Sequence, residues 1–139
     1  MKNFIGIFTL VCLIALVSCK NSVEKKSENE EFKLEKKVSI VYFHGERRCP
    51  TCIAVGDVAK EVYDSKYNKN NDVAFYDINI EDNYYKKFAE KYEVAGSALL
   101  IIKKSEFEDI TGFAFQNATR NPELLKEKIE SIVNNYIEN

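Results

Sequence analysis

Beyond residue 37 the apolar positions of this chain form two kinds of block. Residues 38–43, 73–80 and 98–103 are short, nearly continuous apolar runs rich in β-branched and aromatic side chains, which is the pattern of buried strands. Between and after them Val55, Val58, Ala59, Val62 and Tyr63 recur every three or four residues, as do Tyr85, Phe88 and Ala89. Near the C-terminus Leu124, Leu125, Ile129, Ile132, Val133 and Tyr136 do the same. That spacing lays one apolar stripe along a helix. Local signals place the helix starts. Pro50 suits a first helical position, Asp82 is an N-cap, and Asn121 followed by Pro122 and Glu123 opens the last helix. The first helix should run to about residue 66, slightly weakened by Gly56, and the second to residue 92. Residues 107–115 read as a fourth strand, joined to the third through residues 104–106 as an antiparallel hairpin, with a bulge at Gly112.

The resulting order is strand, helix, strand, helix, strand, strand, helix, with no internal repeat. A helix between the first two strands makes them parallel neighbours through a right-handed crossover. Residues 38–139 have the length of one α/β domain with a single core, to which Phe43, Val58, Val62, Ile78, Phe88, Leu100, Ile101 and Ile129 are assigned.

The preceding residues carry different information. Lys2 precedes an uncharged apolar run over residues 4–17, shorter than the roughly 20 residues of a spanning helix, so residues 1–18 read as a secretory signal peptide. Its end, Leu16-Val17-Ser18-Cys19, resembles the lipobox of bacterial lipoproteins. The resemblance implies a diacylglyceryl group on Cys19 and a location in the bacterial cell envelope, with the domain facing periplasm or exterior. The alternative is ordinary cleavage that leaves Cys19 a free thiol; Cys12 falls in the discarded leader either way. Within residues 20–37 only Val23, Phe32 and Leu34 are apolar, so residues 19–37 form a linker that cannot fold alone. As a coil it spans about 20–25 Å. Its mixed charge signs, and the net charge of −2 for the whole chain, speak against nucleic acid as a partner.

Candidate chemistry lies where the first strand breaks into a basic turn, Gly45-Glu46-Arg47-Arg48, and delivers Cys49-Pro50-Thr51-Cys52. Cys49 falls at a helix start, where unpaired N–H groups, the helix dipole, Arg47 and Arg48 favour a thiolate. Cys52 follows on the same side one turn later and lies inside the helix, more buried. A thiolate with a second thiol in reach can attack a disulfide and be released by its neighbour. The same spacing is half a zinc site, but zinc needs four ligands, and outside the leader only His44 and Cys19 remain to complete one. No metal is expected, which leaves redox exchange and a structural disulfide. His44 ends the strand feeding the dithiol and is read either as a proton acceptor or as a structural strand-end histidine.

The element order, with the dithiol opening the first helix, resembles the thioredoxin superfamily over residues 38–137. Further points of likeness are Asp77-Ile78-Asn79-Ile80, the helix ending Phe88-Ala89-Glu90-Lys91-Tyr92-Glu93, and the Val94-Ala95-Gly96 approach to the site, with Gly112 at the position of a glycine in the family's last strand. The resemblance implies a central mixed four-stranded sheet flanked by helices, Cys49 as nucleophile and Cys52 as resolving thiol. It also implies no cofactor beyond the redox-active disulfide, and a monomer acting on protein thiols or disulfides of the envelope. Three positions depart from the family. Ala98 stands where a cis-proline faces the dithiol, and a cis bond there would cost about 3 kcal/mol or more, so Ser97–Ala98 should be trans. Phe43 stands where many members carry a buried aspartate, and Arg48 replaces a tryptophan. The alternative implied by these departures is a binding module of the same fold whose dithiol holds copper(I) or is a static disulfide.

Overall fold

The computed structural model describes residues 31–139. The segment expected to be a signal peptide, Cys19 and the first part of the expected linker lie outside the described residues.

Strand β1 (Val38–His44) leads into helix α1 (Pro50–Val62), which one π-helical turn (Tyr63–Tyr67) prolongs. Strand β2 (Val73–Asn79), helix α2 (Asn83–Lys91), strand β3 (Ala98–Lys103) and strand β4 (Glu106–Asp109) follow, and helices α3 (Thr111–Asn117) and α4 (Pro122–Glu138) end the chain. Asp82 caps α2 as its sequence implies, its carboxylate accepting from the Tyr84 N–H at 2.9 Å. The sheet order is β2-β1-β3-β4. β1 runs parallel to β2, with Val38 opposite Val73, and antiparallel to β3, with Ile40 opposite Ile101 and Phe43 opposite Ala98. β3 and β4 form the expected antiparallel hairpin.

Both sheet faces are covered, which is why β1 is a continuous apolar run instead of an alternating one. Val38, Ile40 and Tyr42 of β1 and Leu99 and Ile101 of β3 pack beneath α1, α3 and α4. Val41, Phe43, Ile78, Leu100 and Ile102 pack beneath α2, against Phe88, Ala89 and Tyr92. All eight residues assigned to one core are buried, but the sheet divides them. Val58, Val62, Ile101 and Ile129 lie on one side, and Phe43, Ile78, Phe88 and Leu100 on the other.

The fourth strand is shorter than its apolar run. It stops at Asp109, whose carboxylate accepts from the Thr111 N–H at 2.8 Å, and Thr111 Oγ1 in turn accepts from the Leu99 N–H at 3.0 Å. These bonds turn the chain off the sheet edge, and residues 111–117 coil into α3, burying Ala114 against the α1–α4 layer. Gly112 is therefore a helical residue with a negative φ and open space around it, neither a bulge nor a glycine of the last strand. The apolar run carries no mark that separates its strand half from its helical half.

On the opposite face α2 is the only helix among the described residues, and part of the surface it leaves open is filled from upstream. Phe32 inserts its ring edge-on among Tyr76, Tyr84, Tyr85 and Phe88, with centroids 4.9–5.9 Å apart. Leu34 packs on the same cluster, and the Lys37 ammonium donates to the Ile137 carbonyl at 2.6 Å. The packed unit thus begins ahead of β1. Phe32→Ala should lower the unfolding free energy by about 2 kcal/mol, less than for a fully buried ring because Phe32 is half-buried. A urea midpoint unchanged from wild type would show that the strap contributes nothing to the fold.

Candidate active site

β1 delivers the chain to the edge of the sheet at His44, and the turn after it is pinned to the end of β2. The Glu81 carboxylate accepts from the Glu46 N–H at 2.8 Å, and a Cβ at Gly45 would lie 2.6 Å from that same oxygen. Glycine therefore lets the Glu81 carboxylate close on the turn without moving aside. The turn then places Cys49 as the N-cap of α1, with extended backbone and Pro50 at the first helical position. Cys49 is exposed and Cys52 is buried, and the two form a disulfide with Cα atoms 5.0 Å apart. Cys49 Sγ accepts from the Cys52 N–H at 3.0 Å. Once the bond is reduced, that donor and the positive end of the helix dipole face the sulfur that a thiolate charge would occupy.

Tyr42 lies directly beneath the pair. It is fully buried, and its hydroxyl donates to the Cys52 carbonyl at 2.6 Å. Its ring rests on α1 at Gly56, where a Cβ would come within 2.6 Å of the ring, so the glycine that weakens the helix is the residue that admits the tyrosine. Burial pushes the Tyr42 phenol up from its ordinary value, against opposing effects of the nearby Arg48 charge and a hydrogen bond with the Ser97 side chain. Phe43, expected where the family keeps a buried aspartate, points to the other face and stacks on Phe88 at 5.8 Å. Tyr42, not Phe43, occupies the space under Cys52.

Beside the dithiol turn, His44, Arg48 and Asp77 meet. His44 Nε2 lies 2.8 Å from Asp77 Oδ1 and also contacts Arg48 Nη2, while Nδ1 is 2.8 Å from the Gly45 carbonyl. Arg48 Nη2 donates to both Asp77 oxygens at 3.2 Å, and its guanidinium lies 5.7 Å from the centre of the Tyr42 ring. A neutral His44 with its proton on Nδ1 can accept from Arg48; a protonated Nε2 can instead donate to Asp77. The ring's proton therefore selects its partner. Arg47 is exposed and makes no hydrogen bond or ion pair among the described residues. Ala98 opens β3 in a trans peptide, buried opposite Phe43, with half-buried Ser97 before it.

The structure thus brings Cys49, Cys52, Pro50, Arg48 and His44 to one end of the sheet. Tyr42, Gly56, Asp77, Ser97 and Glu81 join them and were not foreseen. Strand alternation alone would have separated Tyr42 from Phe43, since neighbouring residues of β1 face opposite layers. Asp77 had no local signal, because its role depends on the register of β2 against β1. When reduced, the two thiolates could hold a soft ion such as copper(I), while His44 is held toward Asp77 and Arg48.

The parallel β1–β2 pair, the antiparallel β1–β3 pair, the order β2-β1-β3-β4 and a dithiol opening α1 together define a thioredoxin-like α/β fold. No family model matches the chain, and no curated protein does. A similar solved structure is the oxidised form of mitochondrial thioredoxin 3 from Saccharomyces cerevisiae, with 17% sequence identity and a TM-score of 0.49 over 70% of this chain and 80% of that one.

Burial also raises Tyr67, Tyr85 and Tyr136 above the ordinary tyrosine value. In the unfolded chain these phenols ionise first, so above their ordinary value the unfolded state binds fewer protons and stability falls as pH rises. This contribution should be intact up to about pH 10 and lost above it, and Tyr42→Phe should make the loss shallower. Urea unfolding across alkaline pH measures both slopes. Identical slopes would show that burial does not hold the Tyr42 phenol neutral.

Proposed function

We propose that this protein is a lipid-anchored thiol–disulfide oxidoreductase of the bacterial cell envelope, acting on the thiols and disulfides of other proteins through Cys49 and Cys52. The observation that carries the redox reading is the asymmetry of the pair: an exposed cysteine at a helix N-cap bonded to a buried one in the first turn. In the reducing direction the Cys49 thiolate attacks a substrate disulfide, forming a mixed disulfide and expelling one substrate thiolate. Cys52 then attacks Cys49 Sγ. The Cys49–substrate bond breaks, its electron pair leaves with the second substrate sulfur, and the two protons given up by the dithiol end on the two substrate thiols. The protein is oxidised to the Cys49–Cys52 disulfide; the oxidising direction is the same sequence reversed.

The helix N-terminus and the Cys52 N–H support Cys49 as the attacking sulfur. Arg48 adds positive charge on one side but shares it with Asp77, and Arg47 adds an uncommitted charge. A binding module with a static or copper(I)-holding pair is the second reading, favoured by Ala98 at the position of the facing proline. The lipobox at Leu16 to Cys19 supports the anchor and the envelope location.

Cys52→Ser should accumulate mixed disulfides through Cys49 in cells, and Cys49→Ser should accumulate few. Non-reducing electrophoresis with mass spectrometry reads the adducts. A Cys52→Ser protein that traps nothing, beside a wild-type pair that stays oxidised under reducing titration, would replace the exchange reading with the static disulfide. Separately, Cys19→Ser should move the protein from the detergent phase to the aqueous phase on phase partition. Unchanged partition would remove the lipid anchor from the reading.

A further inference from the structure

We propose that Tyr42 is a positioning residue for the resolving step, holding the turn that carries Cys52 in register with Cys49. This assignment rests on the exchange reading above and adds to it a residue that never touches substrate. Tyr42 sits on the α1 side of β1 with its whole side chain buried. Its hydroxyl donates to the carbonyl of Cys52 itself at 2.6 Å. One phenol therefore ties β1 to the first turn of α1.

Two further features tie this arrangement to the dithiol. Gly56, one turn after Cys52, lets the ring approach α1 closely enough to reach that carbonyl, since any Cβ there would meet Tyr42 Cε1 at 2.6 Å. In a helix interior glycine otherwise costs stability relative to alanine. Because burial keeps the phenol protonated, the group remains a donor throughout the range in which thiols exchange.

The two cysteines depend on this contact unequally. Cys49 is the N-cap, exposed and outside the helical turn, so its attack on a substrate disulfide needs no tether from Tyr42. In the second step Cys52 Sγ must approach Cys49 Sγ in line with the bond to the substrate sulfur, form the Cys49–Cys52 bond, and release the substrate sulfur with the electron pair. The proton lost by Cys52 is taken up by that sulfur. Approach in line depends on where the Cys52 turn is held, which is what the Tyr42 hydroxyl restrains.

The test follows the two steps separately in the full chain, using reduced protein and glutathione disulfide, with acid quenching and mass spectrometry to count mixed and intramolecular disulfides over time. Tyr42→Phe removes the hydroxyl and keeps the ring. It should leave mixed-disulfide formation within about twofold of wild type and slow resolution by about tenfold, the size expected for one lost hydrogen bond to a positioned group. A merely structural hydroxyl would lower the melting temperature without separating the two rates. Gly56→Ala, whose Cβ would meet the Tyr42 ring at 2.6 Å, moves the ring away from α1 and should also slow resolution selectively, and it decides the matter if Tyr42→Phe does not fold. Resolution at the wild-type rate in folded Tyr42→Phe, or in Gly56→Ala where the first variant fails to fold, overturns the assignment of Tyr42 while leaving the exchange reading standing. A wild-type chain that forms no mixed disulfide at all overturns both, and is recognised by the missing first phase.

Discussion

The organisation of this molecule depends on β1 being enclosed on every side. It pairs with β2 along all seven residues and with β3 along six, and both of its faces are dry. Its backbone groups are thus used within the sheet, and each of its side chains must face one of two packed layers. The chain leaves this enclosure only at His44, and the next few residues carry the chemistry. A rigid strand followed by a pinned turn and a helix N-terminus fixes where the sulfurs sit without any contribution from a mobile loop.

The two layers divide the labour. On one side α1, α3 and α4 supply a thick apolar cover, into which Tyr42 brings a buried hydroxyl that donates to the Cys52 carbonyl. On the other side one nine-residue helix covers the sheet, and Phe32 fills part of the remainder with an aromatic cluster built from β2 and α2. A charged, mixed-sign segment that could not fold alone thereby contributes its rare apolar residues to a core formed by others.

Electrostatics at the site are more balanced than two adjacent arginines imply. Arg48 is spread over Asp77, His44 and the Tyr42 ring, and the carboxylate removes much of its long-range charge. Because the Arg48–Asp77 pair is partly exposed, its own contribution to stability is small. Its consequence is geometric: it holds the turn against β2 and leaves the helix N-terminus, the Cys52 N–H and Arg47 to favour a thiolate at Cys49.

Strand runs, helix stripes and caps depend on interactions within a few residues, and the sequence by itself determined them. Pro50, Asp82 and Pro122 mark true helix starts, and the order of β1, α1, β2, α2, β3 and the final helix follows from period alone. The exposed and buried members of the dithiol were legible for the same reason, since an N-cap and the first turn behind it are local geometry. Tertiary structure decided the rest. Residues 107–115 intersperse apolar and polar positions and read as one strand, and what divides them into β4 and α3 is a pair of hydrogen bonds to and from Asp109 and Thr111, one of which requires Leu99 across the hairpin. Phe32 became core because α2 left room for it. Asp77 reached His44 and Arg48 through the β1–β2 register, and Tyr42 came under Cys52 because α1 lies over that face of the sheet and carries a glycine where the ring must pass. Contacts between residues far apart in the chain depend on how whole elements pack, and no local pattern of side chains encodes that packing.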